Sequence, residues 1–162
     1  MIMAERIRAL LSYDYNTGIF IRIAPTSNRI KIGEEAGTLR RDGYRRVKVD
    51  GRLYMAHRLA WLYMTGAWPT AEIDHADLNR ENNSWRNLRQ ATRAQNMSNC
   101  HARSNGTSGL KGVSLHKDGK YQATIGAGGE IIYLGLFHTA EAAHAAYCAA
   151  AHRLHGDFAR FA

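Results

Sequence analysis

Residues 72–96 read "EIDHADLNRENNSWRNLRQATRAQN", which sets Asp74 beside His75 and follows them with Asn79, Asn82, Asn83, Asn87 and Asn96. The carboxylate of Asp74 and the side-chain oxygen of Asn96 are hard donors. A Mg²⁺-type ion takes one or two such protein oxygens and fills its remaining positions with water and substrate phosphate. A zinc site would ask for more His or Cys. A neutral His75 next to such an ion can accept a proton from an attacking water, and an ordinary imidazole pKa of about 6.5 suits that task. The ion would stabilise charge building on a leaving 3′ oxygen. The chemistry that wants this set is metal-assisted hydrolysis of a phosphodiester.

Such groups need elements to aim them. "EIDHA" reads as a short strand with Ile73 facing inward, and "NLRQA" (87–91) as a second one. The Asn-rich stretch between them is turn chemistry, because Asn satisfies turn backbones and tolerates left-handed conformations. "TRAQ" (92–95) matches a capping box, so a helix begins at Thr92 and carries Asn96 in its first turns. Two strands over one helix would let Asp74, His75 and Asn96 point into a shared gap. Asn79, Asn82 and Asn83 are assigned to the loop alone.

The order Asp-His, then Asn, then Asn resembles the HNH (ββα-metal) nuclease motif, with His75, Asn87 and Asn96 at its positions and Asp74 just before the first. The surrounding "HRLAWLYMTGAWP…IDH…NLR.AT..QN" is similar to phage and bacterial HNH homing endonucleases over about residues 10–100. The resemblance implies that Asp74 and Asn96 bind a divalent metal, Mg²⁺ or Mn²⁺, and that His75 is the general base. It implies that Asn87 braces the loop and holds the His. The last position is Asn rather than His, as in the homing branch.

Charge points the same way. The formal net charge is +8, which favours an anionic partner, nucleic acid first. The densest basic run, "RRDGYRRVK", holds Arg40, Arg41, Arg45, Arg46 and Lys48. It leads into a hairpin, with "GYRRVKV" (43–49) and "RLYMA" (52–56) joined by Asp50-Gly51. Arg46 and Lys48 share one strand face, which can lie along a phosphate backbone. No apolar run approaches a membrane span, and no apolar N-terminal segment reads as a signal peptide. Cys100 and Cys148 are isolated, which excludes a knuckle of paired cysteines and suits two reduced thiols. Before the hairpin, 3–11 reads as a helix, 19–23 as a strand and "SNRIKIGEEAG" as a polar connection. After it, 57–66 reads as a helix stopped by Gly66, with His57 a structural histidine bonded to a neighbour. Trp61, Trp68 and Trp85 are taken as packing residues.

The Ser-, Asn- and Gly-rich stretch 103–110 reads as a linker between a nuclease unit (1–102, ββα core about 72–100) and a second unit at 111–162. There, strands at 111–116, 121–126 and 131–137 precede an Ala-rich helix at 139–156, with Thr139 as N-cap and Gly156 as stop. Ala143, Ala146, Tyr147, Ala150 and Leu154 form its inward stripe. Residues 107–158 resemble the Apetala-type (ethylene-response-factor) DNA-binding domain, whose three-stranded sheet lies in the major groove. The matching positions are Lys111, Ser114, His116, Lys117, Lys120, Tyr121 and Tyr133. Ser114 and His116 stand where a base-reading Arg often lies, so contact mainly with phosphate is expected, through Lys111, His116, Lys117, Lys120, Tyr121 and Tyr133.

The expected fold class is α+β: N-terminal β-hairpins and a helix lead into the ββα-metal fold, then a small antiparallel sheet packs on one helix. The expected activity is cleavage of double-stranded DNA in the cytoplasm of a bacterial or phage-infected cell. The protein would act as a monomer or weak dimer without an obligate protein partner. A monomer with one such site should nick. The alternative is a DNA-binding regulator or architectural protein without catalysis, and an RNA-binding role is weaker still.

Overall fold

The computed structural model describes residues 2–25, 31–100 and 108–161. The chain divides into two units, Met1–Ala91 and Thr92–Ala162. Part of the expected linker, at 103–107, and part of the polar connection, at 27–30, lie outside the described residues.

In the first unit, α1 (Ala4–Leu10) buries Ala4, Ile7 and Leu10, the helical spacing of its apolar residues. Its end turns directly into β1 (Leu11–Tyr13), which pairs antiparallel with β2 (Phe20–Arg22). The Asp14 carboxylate closes the turn between them by accepting from the Asn16 N–H and the Thr17 hydroxyl. A three-stranded sheet follows in the order β3 (Thr38–Leu39), β4 (Arg45–Val49), β5 (Arg52–Met55). Asp50 and Gly51 both have positive φ, 47° and 80°, as a two-residue hairpin of matching twist needs. The two-residue β3 and the three-residue β1 carry too little pattern to be foreseen from sequence.

Helix α2 (Ala56–Thr65) starts at the end of β5 and stops at Gly66, whose left-handed φ of 80° lets its N–H return to the Leu62 carbonyl. Its buried residues Ala56, Leu59, Ala60 and Leu62 join Ile7, Leu11, Phe20, Val47 and Val49 in one core. Tyr13, Phe20 and Tyr63 pack ring to ring at 4.8–6.2 Å. The tryptophans pack too: Trp61 lies 5.1 Å from Trp85, and Trp68 stacks on Tyr54 at 5.7 Å while its indole N–H donates to the Ile2 carbonyl. The unit closes with β6 (Glu72–His75) and β7 (Leu88–Ala91), a two-stranded antiparallel ribbon preceded on the β7 side by a single 3₁₀ turn, Trp85–Asn87.

The second unit opens with α3 (Arg93–Ser98), whose capping box is complete: the Thr92 hydroxyl accepts from the Gln95 N–H, and the Gln95 side chain accepts from the Thr92 N–H. A sheet then runs β8 (Val113–Leu115), β9 (Tyr121–Ala127), β10 (Glu130–Phe137), all antiparallel with β9 central. Helix α4 (Ala140–His155) lies on the face that carries Val113, Ala123 and Ile125, with the Thr139 hydroxyl capping the Ala142 N–H. Its buried residues are Ala143, Tyr147, Ala150 and Ala151, whereas Leu154 is 41% exposed. Ala151 therefore takes the inward place expected of Leu154; a short side chain fits where the helix approaches the strands closely. Together the units are the mixed α+β class expected, built from small antiparallel sheets and helices. No helix among the described residues is long and apolar enough to cross a membrane.

Gly18 shows how tightly the first unit is closed. Its φ is +76°, and a Cβ there would lie 2.2 Å from the backbone carbon of Asn83. Gly18→Ala should therefore cost more than the roughly 1 kcal/mol of conformational strain alone, about 2–4 kcal/mol in all. Urea unfolding of the variant against the parent measures it, and a loss below about 1 kcal/mol would show that the Asn83 loop gives way freely.

Candidate functional site

The β6–β7 ribbon places the Asp-His pair. Its register sets Asp74 opposite Arg89 and His75 opposite Leu88. Adjacent strand residues point to opposite faces, and the two side chains take different partners. Asp74, only 4% exposed, accepts from Arg89 Nε at 2.9 Å and forms an ion pair with Nη2 of the same guanidinium at 2.9 Å. His75, also 4% exposed, packs its ring edge-on against His57 of α2 at 5.2 Å and lies 5.9 Å from Tyr44.

His75 is further fixed by Asn83. The Asn83 Nδ2 donates to the Glu81 carbonyl at 2.8 Å, which orients the amide. Its Oδ1 then faces His75 Nε2 at 3.3 Å. A carbonyl oxygen can only accept, so Nε2 carries the proton and Nδ1 the lone pair. Burial lowers the His75 pKa, against opposing contributions from the Asn83 hydrogen bond, Asp77 and Asp74. The imidazole is held neutral, the state a proton acceptor needs.

The loop between the strands is built on Asp77 and Asn87. Asn87 Oδ1 accepts from the Asp77 N–H, and its Nδ2 donates to Asp77 Oδ1 and to the Asn82 carbonyl. Asn79 N–H and Asn82 Nδ2 also donate to the Asp77 carboxylate. Partial burial pushes that carboxyl up, but the bonds from Asn82, Asn79 and Asn87 outweigh it and hold it below the ordinary carboxylate value. Arg80 latches the loop outward: its guanidinium donates to the Asp42 carbonyl and lies 4.9 Å over the Tyr44 ring.

Several of these residues do not stand out in the sequence. Asn83, assigned to the loop, is 1% exposed and bonded to His75. His57, expected to bond a neighbour, has a buried Nδ1 without a hydrogen-bond partner among the described residues and makes ring contacts with Tyr44 and His75. Arg89 was legible in principle, since once His75 pairs with Leu88 the residue opposite Asp74 follows. Nothing in the sequence distinguishes Asn83 from its neighbours.

The remaining predicted residues fall into groups. Asn96 lies on α3, the first element of the second unit. Arg45 is held between Glu35 and Glu81, and Arg40 pairs with Asp42. Arg41 and Lys48 are exposed, and Lys48 lies with Arg46 on the β4 face opposite the buried Val47 and Val49. In the second unit His116 pairs with Asp118, Lys117 and Lys120 are exposed in the β8–β9 turn, Tyr121 packs against the core and Tyr133 is exposed. Lys111 does not face outward; its ammonium donates to the carbonyls of Ser98 and Cys100.

For a metal, the donors present decide the class. Among the described residues no group of three or more His, Cys, Asp or Glu side chains gathers as a cage. The Asp74 carboxylate is a hard oxygen donor, of the kind taken by a cation that keeps most of its shell for water and phosphate, and not a structural-zinc set.

Residues 54–98, from β5 through the last residue of α3, match the family model described as HNH endonuclease. The matched segment includes β6, β7 and α3, which carry Asp74, His75 and Asn96. Among solved structures, one of the HNH homing endonuclease I-HmuI, described as binding and cleaving DNA, matches at 28% identity over 56% of this chain with a TM-score of 0.42. The match spans about half of that protein, 51% of its chain. No curated protein matches.

The buried histidines set an acid limit on the fold. Burial first, then the neighbouring His75 and Arg58, lowers the His57 pKa to about 3. Below about pH 6.5 the unfolded chain binds a proton that folded His57 refuses, so stability falls from there down to about pH 3. The slope from this group is about 1.4 kcal/mol per pH unit. His57→Phe should remove about 2 kcal/mol of the stability lost between pH 7 and pH 5. Urea titrations of parent and variant at both pH values test this, and an equal loss in both would show that His57 is protonated in the folded state.

Proposed function

We propose that this protein is a metal-dependent endonuclease of the HNH homing type that hydrolyses phosphodiester bonds in double-stranded DNA, nicking one strand per visit. The observation that carries the reading is His75. It is buried, neutral and held through Nε2 by Asn83, within the segment that matches the HNH endonuclease model. A DNA-binding regulator without catalysis has no use for an imidazole kept dry with its second nitrogen in the acceptor form.

In this reading Nδ1 of His75 takes the proton of the attacking water. Asn83 keeps that nitrogen unprotonated and correctly turned, and the Tyr44 and His57 rings exclude bulk water from one side of the imidazole. Asp74, fixed by Arg89, and Asn96 would hold a divalent cation, Mg²⁺ or Mn²⁺. Such an ion, when bound, supplies charge neutralisation at the phosphate and the leaving 3′ oxygen. Asn87 keeps the intervening loop rigid so that His75 stays at the end of its strand.

DNA contact is assigned to the outward basic groups of the first unit, Arg41, Arg46 and Lys48, with Arg40. The sheet of the second unit adds affinity through Lys117, Lys120 and Tyr133. On that sheet the face opposite α4 carries Ser114, Thr124 and Tyr133, with Tyr133 58% exposed. The proposed division is a nuclease over 1–102 and an Apetala-like module over 111–162, acting as a monomer or weak dimer in the cytoplasm.

Supercoiled plasmid incubated with the protein and Mg²⁺ or Mn²⁺ should convert to open circle, and chelator should stop the conversion. His75→Ala should lower the nicking rate about 10²–10⁴-fold while DNA affinity survives. Cleavage by the variant at the parent rate would remove His75 as the base. Failure of the parent to cut with either ion would favour the regulator.

A further inference from the structure

Helix α3 has six residues and buries none of them. A helix that short is not stable by itself, and helices in proteins draw most of their stability from packing an apolar face. α3 has no such face, so its two ends must be held. The capping box holds the first end. At the second, the last carbonyls of a helix have no partner within it and carry the negative end of its dipole.

Lys111 meets those carbonyls. Its Nζ donates to the Ser98 carbonyl at 2.8 Å and to the Cys100 carbonyl just beyond the helix. The Ser98 side chain is also within 3.4 Å of His155 Nδ1, at the end of α4. Lys111 is itself anchored from behind. Its own carbonyl accepts from His144 Nδ1 of α4 at 3.1 Å, and the Cys148 thiol lies 3.4 Å from the other nitrogen of that ring. The next residue, Gly112, has φ +75°, and a Cβ there would lie 2.0 Å from the Tyr147 ring. Only glycine permits that approach, and the approach brings the Lys111 backbone against α4.

We infer that Lys111 is a positioning residue that locks α3 to the C-terminal sheet and helix, rather than a contact to DNA. The clamp then also bears on Asn96, which α3 carries. This last consequence rests on the nuclease reading; the clamp itself does not.

The experiment uses the full chain and the variants Lys111→Met and Lys111→Arg. Hydrogen exchange of the α3 amides should quicken at least tenfold in Lys111→Met and stay near the parent value in Lys111→Arg, which keeps cationic donors. Mn²⁺ affinity, read by electron paramagnetic resonance, and nicking should each fall at least tenfold in Lys111→Met. The slope of log affinity for DNA against log salt should not change. A lysine contacting phosphate would instead lower that slope by about one and leave α3 exchange untouched, and this result overturns the clamp. Unchanged exchange in α3 overturns it as well. If the parent neither binds Mn²⁺ nor cuts, the nuclease reading fails, while the exchange arm still decides the clamp.

Should Lys111→Met not fold, ¹⁵N spectra of the parent decide between the two roles. A slowly exchanging Lys111 ammonium beside the fast signals of exposed Lys117 and Lys120 supports the clamp. An Nζ signal as fast as theirs overturns it.

Discussion

The imidazole of His75 is kept buried, neutral and fixed in orientation at the end of a ribbon that cannot arrange this by itself. Two antiparallel strands of four residues are marginal in water. Support comes from outside the ribbon: His57 from α2, Tyr44 from the approach to β4, and Asn83 from the connecting loop. Each of these is itself held. Tyr44 lies beneath the Arg80 guanidinium, and the Asn83 carbonyl accepts from the buried Tyr13 hydroxyl at 2.7 Å. The hairpin, α2 and the β1–β2 pair therefore act as a mount for one ring. Loss of the mount would let water reach the ring and raise its proton affinity.

The asparagines of the connecting loop do different work from almost identical chemistry. Asn87 bonds Asp77 through both ends of its amide and Asn82 through its Nδ2, while the Asn82 Oδ1 accepts from Ser84, which gives the loop a charged centre with several hydrogen bonds. That centre helps the chain hold Leu78 at a φ of +64°, an arrangement that costs of order 1–3 kcal/mol for a side chain of that size. The bend in turn returns the Leu78 N–H to the His75 carbonyl at 2.9 Å. Asn83 alone turns inward. One loop thus combines a polar frame, a bend and a contact to His75, and each depends on the others.

Much of this was legible because some residues announce their local structure. Thr92 and Gln95 mark a helix start by reciprocal hydrogen bonding, Asp50-Gly51 marks a hairpin by its tolerance of positive φ, and Gly66 marks a helix end. The inward spacing of Ile7, Leu59 and Leu62 was equally plain. What was not legible depends on contacts across long sequence distance. His57 and His75 lie eighteen positions apart, and only the fold stacks them; Tyr13 and Asn83 are further apart still. Leu154 was misplaced because a helical stripe one residue wider includes Ala151, and space beneath the helix, not hydrophobicity, chose between them.

The basic residues show where composition stops being a guide. A net charge of +8 suggests an anionic partner, but it does not say which cations would face that partner. Arg6 is paired with Asp50 across α1 and the hairpin turn, and Arg8 donates to the Tyr63 carbonyl. Arg45 sits between two glutamates, Arg89 fixes Asp74, and Lys111 caps α3. A guanidinium or ammonium committed to an internal oxygen has given up hydration for a fixed geometry, and releasing it to a phosphate would leave that oxygen unsatisfied at a cost of about 1–3 kcal/mol. Such residues contribute to the long-range positive field without offering a cation for close contact. In this protein the short-range footprint is therefore smaller than the charge implies, and the densest basic run, 40–48, supplies both structural cations such as Arg45 and outward ones such as Arg41 and Lys48.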